Sequence, residues 1–325
     1  MFANCLVCGV CRRGDVITME TNEQKKILNY RELVEFAEPD FRTKNGKSVL
    51  WLPVQVPQNV SVANMLEDLY EKYISLINEH TPIDSNYVST ICKTIIRVLK
   101  TYLTGDVIKA YELFGSMMDK YIKDFPAQDV ETDVQFYRMR KDMDLTDTKE
   151  FYHLPTSMRE ICSSERFSIA GYPCLYLGYS KNDCLVEVSS TGSMIGLSLK
   201  AGHWIKVLDL TFSKEQEEGN SLEEYLKAFP MIAACYVVLM NKVYTDEAKF
   251  REEYVIPQML TSYLKHNGYF NGIRYYSVRN ENLNPFGRNE KDYRNLVLFP
   301  NLDTTPDYDM ELMNKFNWYN PFNVR

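Results

Sequence analysis

The stretch ERFSIAGYPCLYLG, residues 165–178, combines residue types that suit a ligand that is both anionic and flat. Arg166 lies beside Phe167, a short Ser-Ile-Ala-Gly turn follows, and Tyr176 lies within an apolar, strand-like run. A guanidinium group binds phosphate oxygens through paired donors, and an aromatic ring stacks on planar groups. We therefore interpret the stretch as one wall of a binding pocket.

Three other segments contribute residues that could complete such a pocket. In FYRMR, Arg138 and Arg140 alternate along an expected strand and therefore share one face. Glu187 lies between two valines, and a carboxylate in an apolar setting is unusual unless it is paired or takes part in chemistry. Ser277 follows two tyrosines in RYYSVR. Each residue taken alone is better explained by packing or by a solvated face, so the hypothesis depends on their combination.

The common catalytic signatures are absent from the sequence. It has no GxGxxG after a strand, no P-loop, no HExxH and no GxSxG. Its four histidines are scattered and are better explained by packing or surface exposure than by catalysis. Nothing in the sequence therefore favours a serine hydrolase or a histidine-based zinc enzyme.

The cysteines are typical of a reducing compartment. Eight are spread along the chain, several of them in apolar runs, as expected for buried reduced thiols without disulfides. Cys5 and Cys8 have zinc-knuckle spacing and Cys11 follows, but no second close pair completes a tetrahedral site. A zinc knuckle and a metal-free N-terminus both stay open, and we assign no metal ligand among the site residues.

Charge and hydropathy limit the possible partners. The chain has 325 residues, a formal net charge of −7 and a pI near 5.3. An acidic surface argues against non-specific nucleic-acid binding, which needs a basic face, but it permits a small basic pocket. No apolar run approaches the roughly 20 residues of a membrane span, and the N-terminus lacks the layout of a signal peptide. We expect a cytoplasmic protein without a membrane or nucleic-acid partner.

The first part of the chain is expected to be mainly helical. Apolar periodicity predicts helices at 61–80, 85–103 and 107–122. Gly105 ends the second of these helices, and Asp106 is placed to cap the third.

The pattern changes after residue 126. Strands are expected at 133–141, 173–180, 203–212, 271–279 and 294–300, and helices at 221–229 and 252–266. The segments 183–190 and 232–243 fit either a strand or a helix. Because strands and helices follow no βαβ rhythm, we predict an α+β fold. A mainly helical accessory domain over 1–125 would precede the α+β domain over 130–325.

From residue 137 to residue 300 the chain resembles the RES-domain family, named for its Arg, Glu and Ser residues. The resemblance runs in order through FYRMR, FYHLPTSMREICSSERFSIAGYPCLYLGYSKNDCLVEV, EYVIPQML, GIRYYSVR and NLVLFP, about half of the chain. The helical first part is similar to the N-terminal domain of longer RES proteins. The resemblance implies a fold like that of ADP-ribosyltransferase toxins, with a mixed sheet and flanking helices.

The resemblance also implies roles for five residues. Arg138, Glu187 and Ser277 would be catalytic, and Arg166 and Tyr176 would bind the substrate. Members of the family act on NAD+, and several are toxins of bacterial toxin–antitoxin pairs that deplete cellular NAD+. A partner protein neutralises such toxins by blocking the pocket, so we expect an antitoxin or regulatory partner here.

Two positions depart from the family pattern. Glu165 precedes the second arginine, where glycine is usual, and Tyr276 precedes the serine, where proline is common. Neither departure removes a functional group, but both bear on the shape of the pocket.

The residues suit cleavage of the bond between nicotinamide and ribose. Breaking this bond builds positive charge on the sugar, as in glycoside cleavage. A carboxylate such as Glu187, aimed at the ribose, stabilises that charge more in the transition state than in the ground state. Ser277 could position the ribose or a phosphate. NAD+ would be the substrate, with no separate cofactor and no metal.

The acceptor and the class of protein stay open. Inorganic phosphate as acceptor makes a phosphorylase, water makes a glycohydrolase, and a protein side chain makes a mono-ADP-ribosyltransferase. A non-catalytic module that senses NAD+ or ADP-ribose is a different class. A third possibility is an interaction protein with a surface rich in its 23 tyrosines, which would leave Arg138, Arg166 and Glu187 far apart.

Overall fold

The computed structural model describes residues 54–80, 84–125, 127–211, 240–242, 248–279, 294–303 and 307–324. Cys5, Cys8 and Cys11, the helix expected at 221–229 and most of the segment 232–243 lie outside the described residues.

Three amphipathic helices form the first part of the described chain. They are α1 (Val62–His80), α2 (Ser85–Leu103) and α3 (Val107–Tyr121), and they confirm the predicted helices to within one residue at each end. The Asp106 side chain accepts a hydrogen bond from the backbone amide of Lys109, so the predicted cap of α3 is also confirmed.

Nine strands of the described ranges form one mixed sheet. They are β2 (Ala127–Asp129), β3 (Gln135–Arg140), β4 (Leu175–Gly178), β5 (Gly192–Leu199), β6 (Lys206–Asp209), β8 (Gly272–Tyr276), β9 (Arg294–Leu298), β10 (Phe316–Trp318) and β11 (Phe322–Val324). A separate parallel pair joins β1 (Val54–Val56) to β7 (Met240–Lys242).

The order across the large sheet is β10-β5-β3-β4-β9-β8-β6-β2, and β11 also pairs with β5. Strands β6 and β8 are parallel, whereas the other neighbours in this sheet are antiparallel. With its flanking helices, this mixed sheet confirms the prediction of an α+β fold.

Four further α-helices lie among the described residues: α4 (Thr148–Phe151), α5 (Lys181–Val188), α6 (Val255–Asn267) and α7 (Met310–Asn314). Short 3₁₀ segments cover Ile122–Asp124, Thr156–Ile161 and Glu252–Tyr254.

The ambiguous segment 183–190 is helical as far as Val188, because a capping box stabilises the start of α5. The Ser180 hydroxyl accepts from the backbone amide of Asp183, and the Asp183 carboxylate accepts from the backbone amide of Ser180. This capping box outweighs the β-forming residues that follow it.

Strand β3 separates from β4 near the centre of the sheet. It pairs with β5 over six residues, but with β4 only where Tyr137 faces Gly178. Residues on both sides of this separation line the cavity described below.

One hydrophobic cluster contains residues from both sides of the expected domain boundary. It joins buried residues of α1, α2 and α3 to residues of α6 and β8. At the start of α1, the Glu252 carboxylate accepts from the Ser61 hydroxyl at 2.7 Å and from the Ala63 amide at 3.1 Å. The Tyr263 hydroxyl donates to Asp119 at 2.7 Å. The helical part is therefore packed and hydrogen-bonded against α6, while the division at 1–125 and 130–325 stays a prediction.

Candidate functional site

A cavity of about 400 Å³ lies beside the separation between β3 and β4. Its size falls within the range of roughly 300–1,000 Å³ that is usual for small-molecule sites. Arg138, Arg166, Tyr176 and Glu187 line it, and buried Ser277 contacts Glu187. The structure therefore brings together the residues that the interaction-protein alternative would have left far apart.

Arg138 is a buried cation in the wall of the cavity. Its side chain is 8% exposed, and its Nη1 donates to the Tyr176 carbonyl at 2.7 Å, in the gap between β3 and β4. Within the described part of the chain, its Nε has no hydrogen-bond partner and no carboxylate forms an ion pair with it. Burial lowers the pKa of Arg138, and the neighbouring charge of Arg140 lowers it further. An anion in the cavity would offset both effects.

Arg140 lines the same cavity but binds the end of α4. Its Nε donates to the Glu150 carbonyl at 3.0 Å, and its Nη2 donates to the Tyr152 carbonyl at 2.7 Å. A cation at the C-terminal carbonyls of a helix is favourable. These contacts explain Arg140 mainly as a structural residue.

A tight turn presents Arg166 to the cavity. Glu165 and Ser168 exchange backbone hydrogen bonds of 2.9 and 3.2 Å, which place Arg166 at the corner between them. From α6, the Gln258 side-chain amide donates to the Glu165 carbonyl and to the Ser164 hydroxyl, both at 2.8 Å. The position of Arg166 therefore depends on a residue about 90 positions further along the chain.

The aromatic neighbours of Arg166 have different roles. The guanidinium lies 5.1 Å from the ring centre of Tyr254, which also lines the cavity. Phe167 is fully buried and packs against Tyr275 with 4.6 Å between the ring centres. Phe167 thus anchors the turn in the core and does not face a ligand.

Tyr176 supports the same turn through its hydroxyl group. This oxygen accepts from the Phe167 amide at 3.2 Å and is 2.8 Å from the Ser168 hydroxyl. Burial raises the pKa of Tyr176 well above its ordinary value, so the phenol stays protonated. Tyr176 lines the cavity, and the expected stacking of its ring on a flat ligand stays a prediction.

Glu187, in the last turn of α5, is held by three donors. Its Oε1 accepts from the Ser277 hydroxyl at 2.5 Å and from the Asn295 amide at 2.9 Å. Its Oε2 lies 3.2 Å from Nε of Arg279. The carboxylate is thus fixed in orientation, although the side chain stays 32% exposed.

Four residues at the site were not identified from the sequence: Tyr254, Gln258, Arg279 and Asn295. Asn295 lies in β9, directly opposite Gly178 on one side and Tyr275 on the other. A polar residue within the otherwise apolar run NLVLFP was the only sequence signal for it.

Comparison with known proteins gives a sequence relative and a weak structural likeness. No family model matches the chain, so the resemblance to the RES-domain family stays a prediction. The chain is 24% identical over 246 residues to "Putative toxin YopC" of Bacillus subtilis strain 168, covering 66% of this chain and 55% of that protein. The chain thus spans little more than half the length of this relative.

Among solved structures, this protein is similar to a chain in the crystal structure of the M. tuberculosis MbcT–MbcA toxin–antitoxin complex. The match covers 64% of this chain and 91% of that chain, with 12% identity and a TM-score of 0.33. A likeness of this size carries no argument about the fold or the site.

Proposed function

We propose that this protein binds NAD+ in the cavity and cleaves the bond between nicotinamide and ribose. The observation that carries the proposal is that four separate segments meet at one cavity: Arg138, Arg166, Tyr176 and Glu187 line it, and Ser277 contacts Glu187.

The arginine side of the cavity suits the pyrophosphate of NAD+. Arg138 and Arg166 are both less than 9% exposed and both face the cavity. Guanidinium groups bind phosphate oxygens through paired hydrogen bonds, and burial strengthens such charge interactions. Arg138 in particular has an Nε donor without a partner in the described chain.

The carboxylate side suits the ribose. Cleavage of the nicotinamide–ribose bond leaves an oxocarbenium-like sugar, which an oriented carboxylate stabilises. Ser277 and Asn295 hold Glu187 through Oε1, so little reorganisation is needed during the reaction. In this proposal Ser277 positions the carboxylate, because its hydroxyl donates to Glu187 and its side chain is buried behind the residues that line the cavity.

We further propose that the protein acts as a toxin and has a neutralising partner. The support is its similarity to the YopC protein, whose name describes a toxin, together with the resemblance to the RES-domain family. A cytoplasmic location belongs to the same proposal. Among the helices of the described residues, none is long and apolar enough to cross a bilayer.

The proposed fold resembles the ADP-ribosyltransferase fold, and the acceptor is either inorganic phosphate or water. A mono-ADP-ribosyltransferase would need a protein acceptor, and an NAD+ sensor would bind without turnover. These alternatives differ in their products.

Incubation of the purified chain with NAD+, with and without inorganic phosphate, tests the proposal. We expect release of nicotinamide, and mass spectrometry of the second product distinguishes phosphorylated ADP-ribose from ADP-ribose. The Glu187→Gln variant should keep its fold and lose about 10²–10³-fold in turnover, as for removal of one electrostatic stabiliser. Glu112→Gln, on an exposed face of α3, is the matched control that should retain activity, and Arg97→Gln, on an exposed face of α2, should retain it too. Binding without turnover would favour a sensor, and a folded protein that neither binds nor consumes NAD+ would contradict the proposal.

A further inference from the structure

Arg279 is a cavity residue to which no role has yet been given. Its Nε lies 3.2 Å from Oε2 of Glu187, and its backbone amide donates to the Ser277 hydroxyl at 3.3 Å. The side chain is 56% exposed at the cavity. Arg279 therefore covers the proposed catalytic carboxylate from the solvent side.

This contact limits what Glu187 can do. Each carboxylate oxygen offers about two acceptor positions, and both positions of Oε1 are taken by Ser277 and Asn295. A ribose hydroxyl or a developing sugar cation must therefore approach Oε2, where Arg279 already takes one of the two positions. A carboxylate whose charge is neutralised by a guanidinium also stabilises a nearby cation less well. While Arg279 stays on Oε2, Glu187 would therefore act less effectively than after Arg279 has moved away.

Arg279 can leave Glu187 easily, because ion pairs of exposed side chains contribute little to stability. By comparison, Arg138 and Arg140 are held by backbone carbonyls. A guanidinium that leaves a carboxylate is best satisfied by another oxyanion that accepts two hydrogen bonds, and phosphate has this geometry.

We propose that Arg279 exchanges Glu187 for a phosphate oxyanion in the cavity, and that the exchange uncovers Oε2 for the ribose. This inference rests on the proposed function and deepens it, since phosphate binding would then favour recognition of the sugar. The oxyanion comes either from the pyrophosphate of NAD+ or from inorganic phosphate. Only non-covalent contacts change in this step.

Binding measurements with parts of the substrate test the exchange. Calorimetry on the full chain and on Arg279→Gln would use ADP-ribose, which carries the pyrophosphate, and nicotinamide riboside, which carries none. The variant should bind ADP-ribose about 10–100-fold more weakly, as for loss of a hydrogen bond to a charged group. It should bind nicotinamide riboside as well as the parent or more tightly, because Oε2 is no longer covered. Loss of a residue that merely maintains the structure would instead weaken the binding of both ligands.

Inorganic phosphate identifies the source of the oxyanion. If phosphate tightens binding of nicotinamide riboside in the parent but not in Arg279→Gln, Arg279 binds a separate phosphate ion. Weaker ADP-ribose binding without any response to phosphate assigns the pyrophosphate instead. Either result supports the exchange. Arg279→Lys, which keeps the charge but loses the planar pair of donors, should fall between the parent and the glutamine variant.

The outcomes that would contradict the exchange alone differ from the outcome that would also contradict the proposed function. If Arg279→Gln binds both ligands like the parent, or loses both to the same extent, the exchange is wrong while the proposed function stands. If the folded parent binds neither ligand, the proposed function and the exchange both fail. Because Arg279 is exposed, the variant should unfold at the same denaturant midpoint as the Arg97→Gln control, which checks that the fold is intact.

Discussion

Arg138 and Arg274 are almost fully buried in strands of the same sheet, yet their surroundings shift the pKa of the guanidinium in opposite directions. Burial lowers the pKa in both. For Arg274, the carboxylates of Asp209 at 3.1 Å and Glu131 at 2.7 Å outweigh burial, and the pKa is raised. For Arg138, the next influence is the positive charge of Arg140, and the pKa is lowered further.

The difference distinguishes a structural charge cluster from a binding site. The fold supplies Arg274 with anions of its own, so its charge is matched without a ligand, although its Nε, like that of Arg138, has no hydrogen-bond partner among the described residues. It supplies Arg138 with a single backbone carbonyl and a cavity. A buried cation without a matching anion costs free energy, and proteins keep such groups mainly where a ligand offsets the cost. Removing each arginine should therefore have a different consequence.

The largest effect should follow Arg274→Met. The substitution leaves the carboxylate of Asp209, which is fully buried, without its cation. Loss of one partner of a buried ion pair costs about 3–5 kcal/mol, and we expect the free energy of unfolding in urea to fall by that amount. The double variant Arg274→Met/Asp209→Asn lacks this uncompensated charge. Its loss of unfolding free energy should be smaller than the sum of the losses in the two single variants. A loss below about 1 kcal/mol for Arg274→Met would show that the cluster is not structural.

The second effect, of Arg138→Met, should appear in binding rather than in stability. The lost hydrogen bond to the Tyr176 carbonyl is offset by relief of an unmatched buried charge, so we expect the free energy of unfolding to change by no more than about 1 kcal/mol. ADP-ribose should bind about 10–100-fold more weakly by calorimetry, and Arg97→Gln should bind it like the parent. If Arg138→Met were destabilised as much as Arg274→Met, the contrast between the two arginines would be lost.

A smaller effect should follow Gln258→Met, which removes the side-chain donors that hold the turn of Arg166. We expect ADP-ribose to bind about tenfold more weakly, because Arg166 is less well positioned, while nicotinamide riboside is unaffected. Gln128→Met in β2 changes the same atoms at a distance from the cavity and serves as the matched control. Unchanged ADP-ribose binding would mean that Phe167 and Tyr176 hold the turn without Gln258.

The four long helices and five of the eleven strands among the described residues could be predicted from local patterns alone. In α2, apolar spacing and the residues at both ends all agree, and its predicted bounds are those observed. Strand β5 was missed because Gly192 and Gly196 weaken its strand signal. The reason for Gly192 is tertiary, since a Cβ at that position would overlap the backbone of Arg140 in the adjacent strand.

The site residues found from the sequence, such as Glu187 between two valines, were found through their combination and through the resemblance to the RES-domain family. Residues whose role depends on a distant partner were missed. Asn295 contacts Glu187 across 108 positions of the chain, and Gln258 contacts Ser164 across 94. No local pattern encodes such pairs, so only the fold reveals them.

The smallest expected effect is on the pH dependence of stability. It involves His153, which is buried near Arg138 and Arg140. Its Nδ1 is 2.7 Å from the Leu154 carbonyl, and its Nε2 accepts from the Asp309 amide at 3.0 Å, an arrangement that requires the neutral ring. Burial lowers the pKa of His153, and the charges of Arg138 and Arg140 lower it further.

The folded state therefore binds fewer protons than the unfolded state just below the ordinary histidine pKa of about 6.5. Stability should fall as the pH drops below this value, until the lowered pKa of the folded state is reached. Urea unfolding between pH 7 and pH 5 should show this slope in the parent and a weaker slope in Arg138→Met, in which one of the opposing charges is gone. The same weakening in Arg274→Met would contradict the prediction, since Arg274 does not act on His153 and its own charge is already matched.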